Sequence, residues 1–242
     1  MDAIIIEGLT KRYKDTVAVD GLSLRIAEGE LFALLGVNGA GKTTTIKMLS
    51  CLTNPTDGDA FVLGKSITKN TIEVKSAIAV SPQETAVALG LSVKENLDFI
   101  CGVHGFSKEK REGKIRELSS LFGLDGMMTK KAGKLSGGYQ RRLSIAMALI
   151  SEPRILFLDE PTLGLDVIAR SELWDIIRAL KGKITIVLTT HYMEEAEALS
   201  DCIGIMRDGR LLIADKAENI KRIAGVDNFE EAFIRIVRGN LT

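Results

Sequence analysis

An α/β fold with a central parallel sheet is what this sequence predicts, and three observations carry the expectation. First, short and largely apolar runs (Leu31-Phe32-Ala33-Leu34-Leu35, Ile155-Leu156-Phe157-Leu158, Ile184-Thr185-Ile186-Val187-Leu188) are separated by stretches of helical periodicity. That is how strands buried on both faces read. Second, Gly36-Val37-Asn38-Gly39-Ala40-Gly41-Lys42-Thr43 fits G-x-x-x-x-G-K-[ST]. It follows one such run and opens a helix, the setting of a phosphate-binding loop. Third, the run at 155–158 ends in Asp159-Glu160, at the strand end where parallel sheets hold ligands.

Composition sets the bounds. The 242 residues, 45% hydrophobic, can bury a full core in one large domain or a domain with a subdomain. Lys plus Arg and Asp plus Glu number 32 each, so no general attraction to nucleic acid or an anionic membrane is expected. Cys51, Cys101 and Cys202 are far apart, match no zinc spacing and are expected as buried, reduced thiols of a cytosolic protein. No apolar run approaches the roughly 20 residues of a membrane helix, and no signal peptide is expected.

In chain order, residues 3–8 and 22–26 read as strands around a polar turn, Lys11-Arg12-Tyr13-Lys14-Asp15. Tyr13 there can stack on a planar base or cap the edge of the local sheet; the residues alone favour the cap. Glu28-Gly29-Glu30 turns into the phosphate-loop strand. Within the loop, glycines let the chain approach a ligand, and successive N–H groups, helped by the helix dipole, face phosphate oxygens. Lys42 reaches the terminal phosphates and Thr43 offers a hydroxyl to Mg²⁺. Thr44-Thr45-Ile46-Lys47-Met48-Leu49 continues as helix.

Residues 54–59 form a turn cluster and 60–64 a short strand. Ile78-Ala79-Val80 is a strand running into Ser81-Pro82-Gln83-Glu84, where Gln83 can ligate a metal, hold a water or simply be solvated. From about 92 to 150 the period turns helical, with Ser107 as an N-cap before the solvated charge run 108–111. Leu135-Ser136-Gly137-Gly138-Tyr139-Gln140 opens another helix, a second place where free N–H groups face an anion, or else a plain capped helix. After Asp159-Glu160-Pro161, which suggest a metal ligand and a base, residues 162–166 turn into an amphipathic helix, 168–180, with Trp174 in the core. The strand at 184–188 delivers Thr189-Thr190-His191 to the same face. A helix at 194–199, a hairpin of 202–206 and 210–213 turning at Asp208-Gly209, and a helical tail with the stripe Phe229, Ala232, Phe233, Ile236 and Val237 complete the chain.

Taken together, these motifs resemble the ATP-binding subunits of ABC transporters over essentially all of residues 1–238. Residues 36–43 look like the family's Walker A, Gln83 its Q-loop, residues 135–140 its signature, 155–160 Walker B, 164–166 the D-loop and His191 the switch histidine. The resemblance implies a P-loop NTPase (RecA-like) core with an antiparallel β subdomain and a helical signature-motif subdomain. The implied division is about 1–83 and 151–215 for core and β subdomain, about 84–150 for the helical part and 216–242 for a tail.

It further implies catalytic roles for Glu160, His191, Lys42 and Gln83. Nucleotide contacts are implied for Tyr13, Gly36, Asn38, Gly39, Ala40, Gly41, Lys42, Thr43 and Thr44, and Mg²⁺ contacts for Thr43, Gln83 and Asp159. Tyr13 then stacks on adenine, against the reading of its residues alone. In the family two subunits pair head to tail around two ATP molecules, Ser136, Gly137 and Gly138 of one closing on the phosphate held by Lys42 of the other, with Asp166 at the seam. A homodimer on the inner face of the cell membrane, serving separate membrane-spanning permease subunits and no nucleic acid, is the resulting expectation.

Residues 38–40, 161–166, 190–195 and 229–233 look most like the drug- and antibiotic-resistance exporter branch. Residues 130–134 lack the acidic loop of fused multidrug exporters. The alternative is a soluble ABC ATPase acting on ribosomes or DNA; such relatives usually carry tandem domains or long coiled coils. A regulatory module that does not hydrolyse ATP is disfavoured by the intact Glu160 and His191.

Overall fold

The computed structural model describes residues 1–239. Two strands open it, β1 (Asp2–Tyr13) and β2 (Thr16–Ala27), paired antiparallel through a turn at Lys14-Asp15. They are longer than their apolar runs suggest, because one face of the hairpin is solvated and carries polar residues along its length. Tyr13 therefore ends β1 and does not sit in a polar turn. β3 (Leu31–Gly36), buried at every position, leads through the glycine-rich loop to α1 (Lys42–Leu49). β4 (Asp57–Val62) and β5 (Lys65–Ser66) complete a four-stranded antiparallel sheet in the order β2-β1-β4-β5. β4 begins inside the expected turn cluster, because Asp57 and Asp59 pair with Thr10 and Glu7 of β1.

The short α2 (Thr71–Ala77), unmarked by any apolar periodicity, precedes β6 (Ile78–Ser81). Three helices follow: α3 (Val93–Val103), α4 (Lys108–Leu121) and α5 (Gly137–Leu149). Ser92 and Glu95 cap α3 reciprocally, Ser92 N donating to Glu95 Oε2 at 2.7 Å and Glu95 N to Ser92 Oγ at 3.2 Å. The expected cap on α4 is present, with Ser107 Oγ accepting from Lys110 N. Then come β7 (Ile155–Asp159), α6 (Val167–Leu180), β8 (Thr185–Thr190), α7 (Met193–Leu199), β9 (Cys202–Arg207), β10 (Arg210–Asp215), α8 (Ala217–Ala224) and α9 (Phe229–Arg238). Of the expected tail, residues 240–242 lie outside the described part.

The second sheet has the order β10-β9-β3-β8-β7-β6 and is parallel except for β10. Alternation along its strands sorts side chains onto two faces. Leu31, Ala33, Leu35, Leu156, Leu158, Ile186 and Leu188 pack with the helices, including Leu97, Leu143 and Phe233. Phe32, Leu34, Phe157 and Val187 pack on the other side with Ile46 of α1 and with Ile4, Ile26 and Ala60 of the antiparallel sheet. The late stripe finds its partner too: Phe229, Ala232, Phe233 and Ile236 are buried, with α9 lying on α8, α7 and β9.

Two burial expectations need correction. Trp174 is only half-buried: it packs against the edge of the core, its Nε1 donates inward to Glu195, and its ring is flanked by Arg170 and Arg178. Of the free cysteines only Cys101 is fully buried, while Cys51 and Cys202 are partly exposed; desolvation still pushes the Cys202 thiol up to about 11, away from reactive thiolate. Among the described residues no helix is long and apolar enough to cross a membrane.

Candidate functional site

β3, β6, β7 and β8 run parallel, so their carboxyl ends bring the phosphate loop, Gln83, Asp159-Glu160 and His191 to one edge of the sheet. The loop is shaped by its glycines. A Cβ on Gly36 would lie 2.5 Å from the Met206 carbonyl, and one on Gly41, at φ 102°, would collide with the Ala18 carbonyl. The loop is also tied to the β9–β10 turn, Gly209 N donating to Ala40 O at 3.1 Å.

Beside this loop lies a cavity of about 590 Å³. Tyr13, Asn38, Gly39, Ala40, Gly41, Lys42, Thr43, Thr44, Gln83, Glu160 and His191 line it, joined by Thr16, Val17, Ala18 and Leu163. Gly36 lies behind the loop, and Asp159 lies beneath it, accepting from Thr43 Oγ1 at 3.0 Å and from Thr189 Oγ1 at 2.6 Å. A roomier cavity of about 950 Å³ sits between α3 and α4, lined by scattered charges such as Lys94, Asp98 and Arg116. It has neither the loop nor a converging set of groups, so its volume does not make it the site.

Lys42 and Glu160 form a buried ion pair, Nζ to Oε1 at 3.2 Å, with both side chains at most 7% exposed. The ammonium also donates to Gly36 O at 2.7 Å and Val37 O at 3.3 Å. The other oxygen of Glu160 meets His191 Nδ1 at 2.6 Å. Glu160 has φ 48°, unusual for a residue with a side chain. Its N–H is held by Thr189 Oγ1 at 3.0 Å. The result is a cation, a carboxylate and an imidazole in one chain of contacts, with a second carboxylate on the Thr43 hydroxyl.

Ser136, Gly137, Gly138 and Asp166 do not line this cavity. Ser136 is the N-cap of α5, yet its hydroxyl makes no capping bond, and both it and Gly137 are exposed. Gly138 packs so closely on α6 that a Cβ there would come 2.9 Å from Ala169 Cβ. Asp166 caps α6, accepting from Ala169 N at 2.9 Å. The signature turn and Asp166 thus share a patch of their own at the start of α6. No group of three or more His, Cys, Asp or Glu side chains suited to a metal occurs among the described residues.

Two residues here escaped sequence reasoning. Arg141, in the second turn of α5, is buried and donates to the carbonyls of Pro82, Gln83 and Glu160. Burial presses its pKa below the usual guanidinium value, and Asp159 and Glu195 oppose the shift. Glu195 of α7 is fully buried. Its Oε1 accepts from Trp174 Nε1 at 3.1 Å, while Oε2 lacks a partner of good geometry. The run of acids and alanines at 194–198 marks a helix, and nothing local says which acid turns inward.

Desolvation pushes the Glu195 carboxyl above its ordinary value; Thr190, Thr162 and Trp174 oppose this and Glu160 adds to it. A raised folded-state pKa means that the protonated form favours folding. That contribution is full below the ordinary carboxylate range and is lost as pH rises through the folded value. Glu195→Gln cannot titrate, so its melting temperature relative to wild type should climb as pH rises above the ordinary carboxylate range of about 4 to 4.5. Thermal melts from that range upward test this; a constant difference would return Glu195 to ordinary titration.

Comparison with known proteins places these features. Residues 19–163 match the ABC transporter family. The chain is 39% identical over 229 residues to the daunorubicin resistance ATP-binding protein DrrA3 of Streptomyces coeruleorubidus, covering 94% of this chain and 72% of that one. It is 37% identical over 235 residues to the probable multidrug ABC transporter ATP-binding protein YbhF of Escherichia coli, covering 95% of this chain and 40% of that one. A solved ATP-binding subunit of an ABC transporter superposes with a TM-score of 0.85 at 26% identity, covering 97% of this chain and 99% of that one. A dimeric ATP-binding cassette in a post-hydrolysis state with ADP and phosphate gives 0.79 at 26% identity, covering 88% of this chain and 98% of that one.

Proposed function

Because the chain belongs to the ABC transporter family, whose cassettes bind and hydrolyse ATP, we propose that it powers export through separate membrane-spanning subunits by pairing head to tail with a second copy around two ATP molecules. The supporting observation is how the implied nucleotide-site groups are split. Lys42, Glu160 and His191 converge on one cavity, while the Ser136 turn and Asp166 lie outside it. Each chain then contributes the cradle of one site and the lid of another.

In this reading the triphosphate lies along the N–H groups of residues 39–43, and Tyr13 at the cavity mouth, 46% exposed, stacks on the base. Lys42 leaves Glu160 for the terminal phosphates. Glu160, so released, polarises the attacking water, and His191 holds that carboxylate and orients the water. Thr43, Asp159 and Gln83 offer only oxygen donors, which fits Mg²⁺. When bound, the ion would offset charge developing on the phosphates. Ser136, Gly137 and Gly138 of one copy close on the phosphate held by the other, with Asp166 at the seam. The likeness to DrrA3 and YbhF supports a drug-like cargo, and the permease subunits would hold the chain at the inner face of the membrane.

Titration of the purified chain with MgATP, followed by calorimetry and sedimentation, tests the reading: saturable binding and ATP-dependent self-association are expected. Absence of binding overturns it. Tyr13→Ala should weaken affinity about tenfold, the loss of one aromatic stack of about 1–1.5 kcal/mol. Unchanged affinity would return Tyr13 to the role of an edge residue.

A further inference from the structure

We propose that Arg141 is a positioning residue, fixing the backbone of Gln83 and Glu160 to helix α5 so that the signature turn and the hydrolytic groups of the same chain keep a set relation. The inference rests on the function proposed above. Arg141 lies three residues after Gly138, one turn along the same helix. It is 4% exposed, and it is not among the residues lining the cavity. Nη1 donates to Pro82 O at 2.6 Å; Nη2 donates to Gln83 O at 2.6 Å and to Glu160 O at 3.3 Å.

All three acceptors are main-chain carbonyls, so the fork orients peptide groups rather than mobile side chains. Two of them belong to residues with proposed hydrolytic roles, carried just past the ends of β6 and β7. The Glu160 peptide needs such support. At φ 48° it sits in a conformation that costs free energy for a residue with a Cβ. Thr189 holds its N–H and Arg141 its C=O, so the two together over-determine the turn that aims the carboxylate.

General packing does not require this arginine. Leu143, Ile145 and Ala146 of α5 are fully buried, and Ser144 Oγ already meets Ser81 Oγ of β6 at 3.4 Å. A buried guanidinium is a costly way to add adhesion. What it supplies beyond adhesion is a planar set of donors reaching two strand ends at once, which a lysine cannot reproduce. Any tilt of α5, such as closing a neighbour's nucleotide would impose, is thereby passed to Gln83 and Glu160.

The test compares wild type with Arg141→Lys, which keeps a cation but loses the fork, and with Arg141→Met. MgATP affinity by titration, kcat and melting temperature are measured on each full-length chain. In Arg141→Lys, kcat should fall ten- to a hundredfold, as about 1 Å of misplacement at a reacting group does, while MgATP affinity stays within about twofold because the Lys42 loop is untouched. Arg141→Met should be no better than Arg141→Lys in kcat. A kcat within about twofold of wild type in the lysine variant overturns the inference, as does a fall in kcat matched by equal loss of affinity and a lowered melting temperature. A wild type that fails to bind MgATP sinks the functional reading itself; a wild type that hydrolyses ATP alongside an equally active lysine variant sinks only the role of Arg141.

Discussion

Glu160→Gln is expected to lower ATP hydrolysis by two to three orders of magnitude and to accumulate an ATP-bound dimer. The amide has nearly the shape of the carboxylate but cannot polarise a water by taking up its proton, and loss of such a group typically costs 10²- to 10⁴-fold. Binding should survive. Glu160 holds the ammonium of Lys42 at 3.2 Å, so a phosphate reaching Lys42 competes with that carboxylate for the cation. Removing the charge at 160 removes the competitor, and MgATP affinity should hold or rise. With hydrolysis stalled, each ATP is expected to remain bound between the proposed cradle and a neighbour's signature turn. Phosphate release and sedimentation with MgATP read both effects. A variant that stays monomeric with saturating ATP and turns over at the wild-type rate would remove Glu160 from the chemistry.

The contacts that these variants probe were unequally visible in the amino-acid order. Residues 36–43 and Asp159-Glu160 declare themselves because their chemistry is local. A loop that admits no side chain at Gly41 and an acid pair directly after an apolar strand need no knowledge of distant neighbours. The same is true of β3, β7 and β8, buried on both faces and therefore apolar throughout. Strands β1 and β2 run longer than the apolar pattern shows because their solvated face interrupts it, with Lys11 and Arg12 in β1 and Asp20 and Gly21 in β2. The seven-residue α2 buries only Val74, too little to set a period. Arg141 and Glu195 were missed for a different reason. Their partners are far along the chain, 58 and 59 residues for the Gln83 and Pro82 carbonyls and 21 for Trp174. A backbone carbonyl, moreover, leaves no mark in a sequence. What was legible was the set of groups proposed to meet nucleotide; what was not was the scaffold that aims them.

Lys42→Met carries the second large effect, and it acts in two states of the protein. In the proposed nucleotide-bound state it deletes the lysine that lines the cavity, and with it the proposed charge-assisted contact to the terminal phosphates. Such contacts contribute about 1.5–3 kcal/mol each, so MgATP affinity should fall on the order of a hundredfold. In the arrangement the structure shows, it strips Glu160 of its buried cation and leaves the Gly36 and Val37 carbonyls without that donor. Breaking a buried pair by removing one partner costs about 3–5 kcal/mol, which for a domain of this size lowers the melting temperature by on the order of 10 °C. The two losses are separable. In Lys42→Met/Glu160→Gln the stranded charge is gone, so much of the melting temperature should return while MgATP affinity stays lost. Recovery of stability without recovery of binding therefore assigns two duties to one ammonium: resting against Glu160 and holding phosphate. If Lys42→Met melts like wild type, the pair contributes nothing at rest. If it keeps wild-type MgATP affinity, the triphosphate does not lie on this loop.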